Sequence, residues 1–278
     1  MSEIQDLSTA DSDYMLNHDA HEWERLERQH LLWRDTLLGH LPGLGIGPGS
    51  SILEVGCGSG ILLRDLAEVA GPAGRTVGFE RDPAAVGQAR VLAGAHGAEV
   101  VEGDIFTLEP GTLGEPFDLV VVRWVLDWLP NREDALERIL AQVRPGGLIL
   151  VQDYNYDAIR MEPRQPGLVK LFETAPKAYA HHGGDAWFTI RLPKLFQRFG
   201  AETVLVDPVC KAGGPESAVF RWAERFFRDY VQHMVDDELL SQEESDNAIA
   251  GWDAAVADPA SIFYSPLVVT VVGRRLSS

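Results

Sequence analysis

Three acids in the first half of the chain stand within or just after short apolar, β-branched runs: Glu54 in SILEV, Glu80 in RTVGFE and Asp104 in AEVVEGD. One acid at a strand end is ordinarily just solvated. Three at successive strand ends make an edge that can hold a polar ligand. The Glu80 carboxylate can accept both hydroxyls of a ribose. Asp104 can accept from an exocyclic amine, with Ile105 and Phe106 beside it to flank a flat base. After Glu54 come Gly56, Gly58 and Gly60, an E-x-G-x-G-x-G pattern. Glycine permits positive φ and a close backbone approach, and the first N–H groups of the next helix face such a ligand. A dinucleotide fingerprint needs a glycine where Ile61 stands, and Glu54 would repel a pyrophosphate. The pattern therefore suits a nucleoside whose tail carries an ammonium group.

Those acids share an edge only if the strands run parallel. The chain has the required rhythm: SILEV, then a helix from Ile61 to about Ala70; RTVGFE, then DPAAVGQARVLAGAHG; AEVVEGD; FDLVVVRW, then NREDALERILAQVRPGG; and LILVQD. This βαβα order predicts a parallel sheet with helices on both faces. Asn131 is read as the cap of the NRED helix and RPGG as its stop. Ahead of the sheet, HEWERLERQHLLWRDTLLGHL has apolar residues at three- and four-residue steps and predicts one long helix ending at a Pro/Gly-rich linker. Beyond residue 155 the helices QPGLVKLFETAPKAYAHHGG and WFTIRLPKLFQRFG precede a strand AETVLVDPV. Two more helices follow before the closing strand SPLVVTVVGRR.

The set LEVGCGSG, Glu80, GDIF, FDLVVVRWVLDWLP and VRPGGLILVQDY resembles the class I S-adenosylmethionine-dependent methyltransferases over about residues 14 to 155. YML…EWERLERQ and GGDAWFTIRLPKLFQRFGAETV resemble the bacterial small-molecule members, akin to those of quinone biosynthesis and secondary metabolism. The resemblance implies an α/β Rossmann-like fold, a seven-stranded, mostly parallel sheet whose last strand is antiparallel. It implies an N-terminal helical segment (1–43) closing over the cofactor and a main domain (44–278). Within that domain, 156–200 and 215–257 are helical insertions capping the substrate. Its cofactor, S-adenosyl-L-methionine, is expected against Glu54, Gly56, Gly58, Glu80, Arg81, Asp104, Ile105 and Arg123. Tyr14, Arg25 and Gln29 would close over the methionine end, Arg25 and Gln29 sharing a helix face at i, i+4. The sequence departs from its relatives at RWVLDWLP, where many carry histidines.

Methyl transfer from a sulfonium is an in-line displacement on an activated donor, so the protein mainly aligns the reactants, which is worth ~7–11 kcal/mol in favourable cases. Aromatic faces can favour the cation; Tyr14, Trp124, Trp128 and Trp187 are candidates. A base is needed only when the acceptor must lose a proton, and Asp127, Tyr154, His181 and His182 are the acid–base or orienting candidates. Trp128, Asn155, Tyr156, Trp187 and Phe227 are expected to touch substrate, Phe227 from an apolar stripe of ESAVFRWAERFFRDYVQHMV that could form a lid. No metal is expected, because no histidine–carboxylate or cysteine cluster is visible in the spacing. Cys57, with nothing basic beside it, reads as a small turn residue. Two other readings share the cofactor: a rearrangement, elimination or cyclisation without methyl transfer, and a regulatory protein.

The chain has 278 residues, with 24 Lys and Arg against 42 Asp and Glu, a formal charge of −18. A surface of that sign repels nucleic acid and anionic lipid. Two distant cysteines, no basic-then-apolar leader and no apolar stretch of membrane length predict a cytoplasmic protein. A small-molecule substrate, no nucleic acid, no membrane and a monomer or homodimer are the expectations for its partners.

Overall fold

The computed structural model describes residues 20–277. Apolar runs buried on both faces make the central strands. They are β1 (Ser51–Val55), β2 (Arg75–Glu80), β3 (Glu99–Glu102), β4 (Phe117–Arg123) and β5 (Val143–Asn155), with β6 (Arg160–Glu162) outside the main sheet. Later come β7 (Ala201–Val209), β8 (Ala212–Gly213), β9 (Ile262–Tyr264) and β10 (Leu267–Arg275). Seven of them form one sheet in the order β3-β2-β1-β4-β5-β10-β7. Strand β10 runs antiparallel to both β5 and β7, and the other six are parallel, as the sequence predicts. Order reverses between β1, which pairs Leu53 with Val77 and with Val120, and its neighbours on either side. In such sheets the ligand crevice opens at the carboxyl ends on either side of that reversal.

The helices are α1 (Ala20–Trp33), α2 (Asp35–Leu38), α3 (Ile61–Ala70), α4 (Pro83–Leu92) and α5 (Arg132–Leu140). After the fifth strand come α6 (Pro166–His181), α7 (Leu192–Arg198), α8 (Ala218–Asp236) and α9 (Gln242–Ala257). Strand alternation sorts them onto two faces. Leu119 and Val121 pack with Leu37, Leu62 and Leu66, whereas Val120 and Val122 pack with Leu136, Ile139 and Phe196. A third core belongs to α6, α8, α9 and the small sheet β6-β9-β8, centred on Phe172, Phe220, Phe227, Trp252 and Phe263. Tyr154 and Tyr156, from the end of β5, join it, and Trp124 and Trp128, from the end of β4, pack against it. This layer therefore sits over the carboxyl ends of those two strands.

Four local readings differ from the structure. The expected single N-terminal helix divides after Trp33: the Thr36 hydroxyl donates to Trp33 O at 2.6 Å and accepts from Gln152 Nε2 at 3.2 Å, which competes with the helical ladder. Asn131 precedes α5 but its side chain caps nothing. RPGG opens β5 rather than ending a helix, since Val143 already pairs with Phe117. Segment 156–200 is divided, with α6 in the third core and α7, after a short 3₁₀ turn at Phe188–Arg191, against β7 and the main sheet.

Candidate functional site

The three glycines serve two purposes. Gly56 (φ 70°) and Gly60 (φ 82°) are required by packing. A Cβ on Gly56 would lie 2.5 Å from Val125 Cγ2, and one on Gly60 2.9 Å from Ala89 Cα in α4. Gly58 (φ 52°) has open space where a Cβ would be, so it is the glycine that leaves room at the edge. Its N–H donates to Glu80 Oε2 at 2.9 Å, while Glu80 Oε1 accepts from Arg81 N–H at 2.8 Å and Asp82 N–H at 3.0 Å. Backbone donors thus hold the end of β2 against the turn, with the Arg81 side chain exposed. Asp104 accepts from Phe106 N–H at 2.8 Å and starts the turn that half-buries Ile105 and Phe106.

Beside the turn, charge is buried in a line. Glu54 is 3% exposed, and its Oε2 has no donor among the described residues. Burial raises its carboxyl to about 8, against the downward pull of Arg123. Burial likewise pushes Arg123 down to about 10, despite the nearby charge of Glu54. Its guanidinium lies 4.4 Å over the Trp124 ring, and Nη2 donates to His30 Nδ1 at 3.0 Å. An arginine can only donate, so His30 Nδ1 accepts and His30 Nε2–H donates to Asp65 Oδ2 at 2.9 Å. Neutral His30 agrees with burial lowering its pKa. Burial opposes ionisation of Asp65, but its bonds to His30 and to Arg34 Nε (2.5 Å) hold it well below the usual carboxylate range. Helix α1 is thereby tied to α3 and β4. Gln29 accepts from Arg25 Nη1 at 2.8 Å and from Trp222 Nε1 of α8 at 3.3 Å. Tyr14 lies outside the described residues. Sequence reasoning missed His30 and Asp65; the signal was an acid within the apolar run of α3, ILLRDLAEVA.

Nη1 of Arg123 is also buried without a hydrogen-bond partner among the described residues. A buried acceptor, Glu54 Oε2, and a buried donor, Arg123 Nη1, therefore occupy the ends of β1 and β4. That pair matches the ammonium and carboxylate of an amino-acid tail, and Gly58, Glu80 and Asp104 lie along the same strand edge. The residues fit S-adenosylmethionine, whose sulfonium supplies an electrophilic methyl group.

Past Arg123 the chain turns sharply, with Trp124 at φ 57°, a conformation that costs a bulky residue about 1–3 kcal/mol and is found where function constrains the backbone. Asp127 and Asp153 are fully buried. Asp153 accepts from Asp127 N–H at 3.3 Å and is also held by the N–H groups of Leu126 and Val125. Among the described residues, no neighbour other than Asp153 is hydrogen-bonded to the Asp127 carboxyl. Burial and the charge of Asp153 raise the Asp127 pKa well above normal; burial raises that of Asp153. Around them Trp124 stacks on Tyr154 (5.8 Å), Tyr154 on Trp222 (6.1 Å) and Trp128 on Tyr179 (4.0 Å). The hydroxyls of Tyr156 and Tyr179 are 3.3 Å apart, and that of Tyr154 is buried without a partner among the described residues. Burial raises all three phenols, so they stay protonated.

Other sequence candidates lie elsewhere. His181 and His182 are exposed and turned to Asp237, which removes them from the buried site and forms a histidine–carboxylate cluster that spacing did not disclose. Trp187 is exposed, its indole N–H given to Asp157 at 2.9 Å. Asn155 is buried but its side chain accepts from Asp157 N–H at 2.9 Å, closing a turn. Phe227 packs among Phe172, Phe226 and Trp252, inside the third core. The Cys57 thiol is buried against the turn, and burial pushes its pKa up, so it is no nucleophile.

Fold and site together define a Rossmann-like enzyme that holds an amino-acid-bearing nucleoside. Residues 46–239 match a methyltransferase domain. The chain is 30% identical over 193 residues to methyltransferase str3 of Strobilurus tenacellus, covering 69% of this chain and 67% of that one. It is 30% identical over 134 residues to the ubiquinone/menaquinone biosynthesis C-methyltransferase UbiE of Ectopseudomonas mendocina, covering 47% and 49%. With trans-aconitate 2-methyltransferase of an Azoarcus species it shares 24% over 206 residues, covering 73% and 77%. The matches thus span from about half to about three quarters of these relatives' lengths. A methyltransferase from Aquifex aeolicus (TM-score 0.51, 17% identity, 69% of this chain and 94% of that) has the same fold. So does the [4+2]-cyclase SpnF (TM-score 0.53, 18% identity, 88% and 82%). The chain belongs to the methyltransferase-domain family and is a class I S-adenosylmethionine-dependent methyltransferase.

Within that family, Glu80→Gln keeps an acceptor and removes its charge, so S-adenosylmethionine binding is expected to weaken by about tenfold. Calorimetry checks this, and an unchanged affinity would put the ribose elsewhere.

Proposed function

We propose that this enzyme methylates a small aromatic or apolar acceptor that gives up a proton as it is methylated. The observation that carries the reading is the complete burial of Asp127 and Asp153 past the ends of β4 and β5, with Asp127 close enough to Tyr154, Tyr156 and Tyr179 to raise their pKa values. Glu54 and Arg123 would orient the amino-acid tail of the cofactor, and Glu80 and Asp104 its nucleoside. The aromatic rings exclude water and offer π-faces to a cation and to a flat substrate. The carboxyl pair, whose raised pKa values leave it partly protonated near neutrality, would take the proton. Helices α6, α8 and α9 serve as the cap, and α1 closes over the cofactor. The UbiE relative, named for quinone biosynthesis, supports a ring acceptor.

The surrounding expectations belong to the same proposal: a cytoplasmic enzyme, monomeric or homodimeric, that does not act on nucleic acid. The charge of −18 supports the last point, and no helix among the described residues is long and apolar enough to cross a membrane. Incubation with methyl-labelled S-adenosylmethionine and a panel of phenols and hydroquinones, read by mass spectrometry, tests the acceptor class. S-adenosylhomocysteine together with a labelled aromatic product is expected. Product only from aliphatic polyacids would overturn the aromatic reading, and a converted substrate without S-adenosylhomocysteine would favour the non-methylating alternative.

A further inference from the structure

Helices α6 and α8 end side by side on the outer surface of the third core. His181 is the last residue of α6 and His182 its cap, while Asp237 caps α8. His182 Nε2 lies 2.8 Å from Asp237 Oδ2 and His181 Nε2 lies 3.9 Å from Asp237 Oδ1. The two imidazoles stand nearly perpendicular, at 79° with centroids 5.0 Å apart, so their ring nitrogens reach one carboxylate from different directions. One donor from each of the three residues lies within 4.8 Å of the others.

A hydrogen bond accounts for one histidine on Asp237 but gives no reason for the second. A metal ion accounts for both. Donors bound at about 2.0–2.1 Å in tetrahedral geometry stand about 3.4 Å apart, and the 2.8 Å and 3.9 Å separations bracket that value. Imidazole nitrogens with one carboxylate suit a borderline divalent ion such as Zn²⁺ or Ni²⁺ rather than Mg²⁺ or Ca²⁺. Both helices also direct their C-terminal ends here, where the backbone dipole favours a cation. The side chains of His181, His182 and Asp237 are 46%, 35% and 22% exposed, so an ion can arrive from solution and retain water in its remaining positions.

We propose that His181, His182 and Asp237 form a binding site for a divalent transition ion that staples α6 to α8. The site is separate from the cofactor edge, yet the chain that follows it reaches the turn carrying Asp127. The loop directly after His182 turns inward, where Gly184 N–H donates to Tyr179 O at 2.6 Å and Asp185 N–H to Asp127 O at 2.6 Å. A bound ion would therefore stiffen the wall behind Asp127.

Calorimetric titration of tag-free, chelator-treated protein with ZnCl₂ and with NiCl₂ tests the proposal, alongside MgCl₂. One Zn²⁺ or Ni²⁺ per chain, a raised melting temperature and no response to Mg²⁺ are expected. Asp237→Asn and His182→Ala, verified as folded by circular dichroism, should each weaken binding by at least about 100-fold, since even groups behind a ligand can cost that much. The absence of saturable Zn²⁺ and Ni²⁺ binding by the unaltered protein overturns the proposal. Unchanged affinity in both variants does so too, because the ion then sits elsewhere.

Discussion

Glu54→Gln is expected to weaken S-adenosylmethionine binding by about 100-fold while leaving 5′-methylthioadenosine, which lacks the amino-acid tail, bound within about threefold. The substitution keeps the shape of a buried side chain whose Oε2 has no donor among the described residues, and removes only its ability to carry charge. A pH dependence follows from the same environment. In the free protein burial holds the Glu54 carboxyl at about 8, so near neutrality it is largely protonated. An ammonium favours the ionised form and lowers that pKa in the complex. Between the two pKa values the complex holds fewer protons than the free protein, so binding strengthens as pH rises. The expected gain is at most about tenfold per pH unit, ending near pH 8. Calorimetry in buffers of different ionisation enthalpy should detect proton release from the unaltered enzyme and none from the glutamine variant. Equal loss of affinity for both ligands would place the tail away from Glu54.

Asp127→Ala is expected to lower kcat by about 10³-fold, within the usual range for a lost acid–base group, with cofactor affinity nearly unchanged. A residue that merely lined the pocket would show the opposite split, a raised KM at conserved kcat. Asp127→Asn retains shape and discards titration. Burial raises both Asp127 and Asp153, and the pair can accept a proton only while it holds a negative charge. Activity should therefore fall as the medium is acidified, along a limb displaced from the ordinary carboxylate range near ~4 toward neutrality. In the asparagine variant only Asp153 is left to titrate, so the limb should shift from its position in the unaltered enzyme. The placement of Asp153 explains why it is not the preferred target. Its carboxylate accepts from the backbone of the turn that carries Asp127, so altering it disturbs the turn itself.

Much of the cofactor edge was legible because the signals were local. A strand, a tight turn and a helix start occupy the contiguous stretch 51–70, and the structure begins α3 at Ile61, where the sequence places the helix start. Strands β2, β4, β7 and β10 were readable for a related reason: each is a short run of β-branched residues bounded by polar ones. The small strands β6, β8 and β9 were not, since two or three residues are too few to display a period. His30 escaped notice because its partners, Arg123 and Asp65, are 93 and 35 residues away. The lid stripe on α8 was real as an amphipathic face, but Phe227 on it points into a core built by α6 and α9. Periodicity says which side of a helix is apolar, not what covers it.

By itself the sequence determined a parallel sheet with acids at the ends of its first three strands, and a turn that rejects a dinucleotide, because strand period and glycine chemistry act over neighbouring residues. Only tertiary structure decided what each of those residues does. Gly56 and Gly60 are demanded by Val125 and Ala89, leaving Gly58 at the open position. Arg123 from β4 supplies the counter-charge near Glu54 from β1. Asp127 came to lie by Asp153, and His181 and His182 came to Asp237. Burial and charge proximity depend on which distant segments the fold brings together, and a carboxyl pKa follows its surroundings rather than its neighbours in the chain.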